Sequence, residues 1–194
     1  MTRQFIACKQ KVHNRGRPPD SFLNELVDWG RIAPPEVFAK NEKFDIYSSV
    51  IQQLGPWQGE MHRRAVMLEA LRVLAGFESS WNWNAGVDVT NPTSNTPCTE
   101  EAGIFQCSGN SMSFSATLKA LLLSTGVDGS CSSFITTTKQ NHAFAIEYCA
   151  RLIRLTTKHH GPIKGRHINP WLRRDAVQEF AAFLERFRFN QQGN

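Results

Sequence analysis

Glu78 stands in the stretch FESSWNW, residues 77 to 83, one carboxylate among Phe77, Trp81 and Trp83. An acid beside aromatic rings loses solvation of its charged form and can keep a proton near neutral pH. Protonation of a glycosidic oxygen requires such a group, because that oxygen leaves poorly until it is protonated as the ring approaches an oxocarbenium ion. The segment GIFQ begins at Gly103, 25 residues after Glu78, and ends in Gln106, whose amide can bond a sugar's acetamido or hydroxyl groups. Trp81 and Trp83 offer flat apolar faces of the kind that stack on pyranose rings. An acid, an amide and aromatics around a polar loop describe a carbohydrate cleft. A hydrolase usually needs a second carboxylate, about 6.5–9.5 Å from the first when the reaction inverts. The candidates are Asp88, which in GVDVTNP is also ordinary turn chemistry, and Glu100-Glu101, which read as solvent-exposed loop charges.

The other reactive side chains point less clearly. His159, His160 and His167 lie close together, but no Cys or acid stands at a ligand spacing beside them, so they read as a basic surface loop; no metal or cofactor is expected. The five cysteines, Cys8, Cys98, Cys107, Cys131 and Cys149, form no CxxC. Cys98 and Cys107 flank a short polar loop and could bridge in an oxidising compartment; all five being reduced and mostly buried is the other reading. Residues 151 to 174 carry Arg151, Arg154, Lys158, Lys164, Arg166, Arg173 and Arg174, and the formal net charge is +5. Such a run could meet a polyanion, yet no helix-turn-helix, zinc-finger or base-stacking motif accompanies it, so nucleic acid is not the expected partner.

These side chains need elements to hold them. With 194 residues and 41% hydrophobic content, the chain can build one core. Residues 1 to 20 lack apolar periodicity and read as an N-terminal arm, with one domain over 21 to 190. From Asp20, a plausible N-cap, Phe22, Leu23, Leu26 and Val27 predict a helix ending near Gly30. Pro34 and Pro35 can begin another, and Phe44, Tyr47, Val50, Ile51 and Leu54 mark one face of a third. The strongest pattern spans 60 to 77, where Met61, Ala65, Leu68, Leu71, Val73 and Leu74 predict a core helix leading directly to Glu78. Residues 85 to 110 favour turns and at most short strands. Helical patterns follow near 113 to 125, 140 to 157 and 170 to 188, the last with Pro170 in its first turn. The expected class is mostly α with an irregular polar loop or small β excursion. No apolar run approaches the roughly 18 residues of a membrane span, so membrane insertion is not expected.

ESSWNWNAG resembles the E-S-x-F-N motif of the goose-type lysozyme and soluble lytic transglycosylase superfamily, and GIFQ resembles its G-L-M-Q motif at a similar distance downstream. A weaker echo is NHAFAIEYCARLIRL, in which Asn141, Tyr148 and Leu152 are similar to an Asn followed by a Tyr-Leu helix in the transglycosylases. The resemblance covers residues 60 to 157 or so, with specific wording in two short places. It implies a lysozyme-like single domain, Glu78 as catalytic acid at the end of a buried helix, and Gly103, Gln106, Asn141 and Tyr148 about the saccharide cleft. Asp88 becomes the preferred second carboxylate, because it lies in the loop that carries the acidic water-positioning residue in goose-type enzymes. The family's A-Y-N-A-G motif has no match, HHGPIKGRHINPW standing in that part of the chain, so the resemblance leaves hydrolase and transglycosylase outcomes both open.

The implied substrate is the β-1,4 bond between N-acetylmuramic acid and N-acetylglucosamine in peptidoglycan. The N-terminal residues show no Sec signal pattern, so such an enzyme would need another route to the wall. Phage endolysins pass through holin pores, and type VI secretion effectors are injected into a neighbour's periplasm. The second setting suits a compact single domain slightly better and implies a cognate immunity protein over the cleft.

Overall fold

The structure is a computed structural model that describes residues 3–191 apart from Trp57, residues 88–92 and Asn95, with side chains described through residue 185. The helices are α1 (Asp20–Ile32), α2 (Ile46–Leu54), α3 (Glu60–Ser79), α4 (Ala116–Leu123), α5 (Cys131–Gln140), α6 (His142–Leu155), α7 (Gly161–Lys164) and α8 (Arg174–Gln191). Two short strands, β1 (Glu101–Ala102) and β2 (Cys107–Ser108), pair antiparallel with Ala102 opposite Cys107. The mostly α class with a small β excursion is thus observed.

Helix α3 is the axis of the fold, packing against α1, α2, α6 and most extensively α8. Every residue from Arg63 to Gly76 is buried, so the apolar stripe is only part of a helix enclosed on all sides. Its charged residues are enclosed because each finds a partner. The Arg63 guanidinium donates to Phe38 O at 2.7 Å and lies 3.5 Å above the Tyr47 ring. Arg64 donates to Gly30 O and Ala33 O at 2.8 and 3.0 Å, satisfying carbonyls left open at the end of α1. Arg72 forks onto Glu69 at 2.6 and 2.8 Å, with both side chains inaccessible to solvent.

Several boundaries differ from expectation for local reasons. Pro19 is the N-cap of α1, Asp20 is its first residue, and the helix runs on past Gly30 to Ile32. Helix α2 begins only after Asp45, whose carboxylate accepts from Ser48 N–H. Phe44 therefore lies outside the helix and is 64% exposed, while Ile51 turns away from the buried row of Ile46, Tyr47, Val50 and Leu54. Pro170 starts a separate 3-10 turn (Asn169–Trp171), and α8 follows it. Helix α5 was not expected, since CSSFITTTKQ is poor in helix formers. Its Ser130 cap, the Thr138 hydroxyl donating to Phe134 O at 2.8 Å and buried Phe134, Thr137 and Thr138 hold it in place. The disulfide joins Cys98 to Cys131 at the start of α5, not to Cys107.

Residues 3–19 form no helix or strand and are strapped to the core. Phe5, Cys8 and Val12 are buried, and Glu179 of α8 accepts from the backbone N–H groups of Ile6 and Cys8 at 2.8 and 2.7 Å. Part of the basic run from 151 is tied down by contacts within the molecule, while Lys158, Lys164, Arg166, Arg173 and Arg174 are exposed. Arg151 pairs with Glu147, Arg154 with Asp45, and Arg173 with Asp175, while Arg174 donates to Gln53 O. Among the described residues no helix is long and apolar enough to cross a membrane.

Candidate active site

Glu78 is the penultimate residue of α3. The helix stops there because Ser80 and Trp81 both take left-handed backbone, at φ 54° and 61°, a conformation costly for a bulky side chain. Burial of the indole compensates. Trp81 folds back over Gly76, where a Cβ would sit 2.7 Å from the ring, and its N–H donates to Arg72 O at 2.9 Å. Gly76 lies about 160° around the helix from Glu78 at 3.6 residues per turn, so Trp81 covers the opposite face. This corrects the expected stacking role: only 5% of Trp81 is exposed. Truncation of Trp81 to Ala is expected to destabilise the fold by about 3–5 kcal/mol, measured by chemical denaturation; a stacking platform would instead lose glycan affinity at unchanged stability.

The aromatic nest is therefore dispersed. Phe77 stacks with His13 at 5.6 Å between ring centres. Trp83 is half-buried and lies face to face with His142 at 3.8 Å, so one of its two faces is already covered.

GIFQ is the turn of the β1–β2 hairpin. It docks on the end of α3 through the Ser79 hydroxyl, which donates to Ile104 O at 2.8 Å, and through fully buried Ile104 and Phe105. Gly103 has φ 70°, and a Cβ there would meet the Thr138 methyl at 2.7 Å, so no larger residue fits. Gln106, at φ 48°, spends its side-chain N–H on Gly103 O at 2.9 Å and is 9% exposed. Its amide thus braces the turn, and its burial leaves little of it to meet a sugar. Of the five left-handed non-glycine residues among those described, Ser80, Trp81 and Gln106 fall in these two turns, and such strain concentrates where structure is held for a purpose.

The hairpin turn delivers the next residue, Cys107, into a buried cluster that the spacing of the sequence does not foretell. His160, the N-cap residue of α7, comes from the loop read as a surface feature, yet it is 3% exposed. Its Nδ1 lies 3.2 Å from Glu78 Oε1, and its Nε2 faces Cys107 Sγ at 3.9 Å and Cys149 Sγ of α6 at 3.7 Å. Burial alone would push His160 down, but hydrogen bonds to Cys107 and Glu78 and their negative charge raise it to about 10. Its Nδ1 is placed to donate to Glu78 Oε1. A hydrogen bond from Cys149 and those from His160 draw Cys107 down to about 6 against the opposing effect of burial, while burial and the neighbouring Cys107 push Cys149 well up. The pair shares one negative charge. His159 goes the other way, lowered to about 4 by burial and then by the adjacent His160 cation.

The remaining candidates serve the frame of this cluster. Tyr148 is 1% exposed, and its hydroxyl shares a hydrogen bond with Ser111 at 2.7 Å. Asn141 caps α6, its side chain accepting from Phe144 N–H at 3.0 Å. Tyr148 is enclosed, while Asn141 is exposed at the start of α6. Asp88 lies outside the described residues. Glu101 belongs to β1, and it and Glu100 are half-buried, not fully exposed. The Glu78 side chain lies beside His160 and is 16% exposed. The missed residues, Cys107, Cys149 and His160, are far apart in sequence, and only the placement of Cys107 directly after GIFQ marked one of them.

Comparison with models of protein families, with curated proteins and with solved structures finds no significant match to this chain.

Proposed function

We propose that the chain is a peptidoglycan glycosidase, a muramidase of goose-type lysozyme-like fold that uses Glu78 as general acid on the β-1,4 bond between N-acetylmuramic acid and N-acetylglucosamine. The observation that carries the reading is the position of Glu78, a partly exposed carboxylate at the end of an otherwise enclosed helix, with the GIFQ turn bonded to its neighbour Ser79. In this reading Glu78 gives its proton to the bridging oxygen through Oε2. The carboxylate left behind accepts Nδ1–H of His160, a donor already aimed at Oε1, so charge that develops during bond cleavage meets a fixed dipole and needs no rearrangement. The same carboxylate then removes a proton from the group that captures the cation. Capture by the sugar's own 6-hydroxyl gives an anhydro product and needs no further acid, whereas capture by water calls on Asp88, Glu100 or Glu101 to position it.

The expected result with purified sacculi is release of soluble muropeptides; mass spectrometry assigns reducing ends to a hydrolase and 1,6-anhydro ends to a transglycosylase. Intact sacculi after prolonged incubation would remove the proposal. The biological setting proposed is an antibacterial effector acting in the periplasm of a target cell, with a phage endolysin as the other setting for the same chemistry. An immunity protein in the producer would cover the mouth beside Glu78. Expression directed to the periplasm should lyse cells while cytoplasmic expression should not, and equal toxicity from both compartments would exclude a wall target.

A further inference from the structure

We infer that Cys107, Cys149 and His160 form a buried metal site, a Cys2His centre suited to zinc. The three donor atoms lie within 4.8 Å of one another and belong to three elements, β2, α6 and the first residue before α7. Tetrahedral zinc with Zn–S near 2.3 Å and Zn–N near 2.05 Å separates a sulfur and a nitrogen ligand by roughly 3.6 Å. The observed Nε2 to Sγ distances are 3.7 and 3.9 Å, within a few tenths of an ångström of that value, and the two sulfurs lie within 4.8 Å of each other against roughly 3.8 Å across a tetrahedral zinc.

The orientation of the histidine is the second observation. A metal-bound imidazole commonly donates its other N–H to a carboxylate, which holds the tautomer and the ring plane. His160 turns Nε2 toward both sulfurs and Nδ1 toward Glu78 Oε1 at 3.2 Å. Charge balance selects a divalent ion. Two thiolates, a neutral imidazole and Zn2+ sum to zero, and a neutral centre avoids the desolvation cost of a net charge in surroundings where all three ligands are buried. A fourth position can be taken by the Phe105 carbonyl, 4.0 Å from Cys107 Sγ, or by a water. Thiol catalysis on a glycan or peptide is the competing use of a cysteine, a histidine and a carboxylate in series, but Cys107 is 2% exposed and Cys149 0%, which denies a substrate access. A metal ion needs only transient opening. Bound there, it would act as a brace, holding His160 so that its N–H faces Glu78.

The test uses the full chain purified without chelator and the metal alone as probe. Elemental analysis is expected to give one zinc per chain, and replacement with cobalt(II) a thiolate-to-cobalt charge-transfer band together with intense tetrahedral d–d bands. The Cys8→Ser variant, which removes the buried thiol near α8, retains the bands, while the Cys107→Ser/Cys149→Ser double variant loses them. Glu78→Ala is expected to weaken zinc binding by about 10–100-fold, the usual effect of losing a carboxylate behind a ligand histidine. Wild-type protein with no stoichiometric metal and no cobalt bands would overturn the inference, as would a Cys107–Cys149 disulfide in non-reducing peptide mapping. These readouts do not involve glycan cleavage, so they stand apart from the fate of the glycosidase proposal.

Discussion

Replacement of Glu78 by Gln is expected to lower release of muropeptides from sacculi by about 10²–10⁴-fold, the range contributed by a general acid, while leaving thermal stability nearly unchanged. The two expectations have separate causes. Gln is isosteric with Glu and keeps an Oε1 acceptor for His160 Nδ1, now 3.2 Å away, but it has no acidic proton to give. The side chain is 16% exposed at a helix end, so the change leaves no cavity. Denaturation curves run beside the turbidity assay separate loss of chemistry from loss of fold. Wild-type activity in the Gln variant would remove Glu78 from the mechanism. A parallel fall in stability would reassign the His160 contact to holding the end of α3.

Glu69→Ala is expected to destabilise the fold as severely as Trp81→Ala. It leaves the Arg72 guanidinium charged, fully enclosed and without its carboxylate, a change that typically costs about 3–5 kcal/mol. At roughly 2–4 °C per kcal/mol for a chain of this size, the melting temperature should fall by about 6–20 °C. The loss should reach beyond the pair. Arg72 also donates to Gln10 O and Trp171 O at 3.3 and 3.4 Å, and Glu69 accepts from Arg173 N–H at 2.9 Å, so one ion pair ties the N-terminal arm and the start of α8 to α3. Arg72 O in turn holds the Trp81 indole that closes the helix below Glu78. The double replacement Glu69→Leu/Arg72→Met should lose less than Glu69→Ala, because it leaves no lone charge. A single variant that melts within a degree or two of wild type would show that the pair contributes little beyond its own desolvation cost.

The site was legible where it depends on neighbours in the chain. The position of Glu78 follows from a helical pattern and a turn signal, and that of the GIFQ turn from its glycine and following amide. Both reappear as the end of α3 and the tip of the β1–β2 hairpin. Function assigned to side chains fared differently. Trp81 and Gln106 were read as facing a sugar, whereas left-handed backbone turns them inward, where Arg72 O and Gly103 O take their N–H groups. A backbone conformation of that kind cannot be read from residue type when the residue is not glycine. The histidines read as a solvated loop because no ligand stands near them along the chain.

Amino-acid order alone determined a core helix over residues 60–77, its stop near Glu78 and the mostly α class, since periodicity, capping and turn chemistry act over a few residues. Tertiary structure alone decided that His160 meets Glu78 across 82 positions and Cys107 across 53, and that Cys131 closes a disulfide over 33. Those meetings follow from how α3, α6 and the hairpin pack. Each is set by the sum of many buried contacts, which no local spacing records.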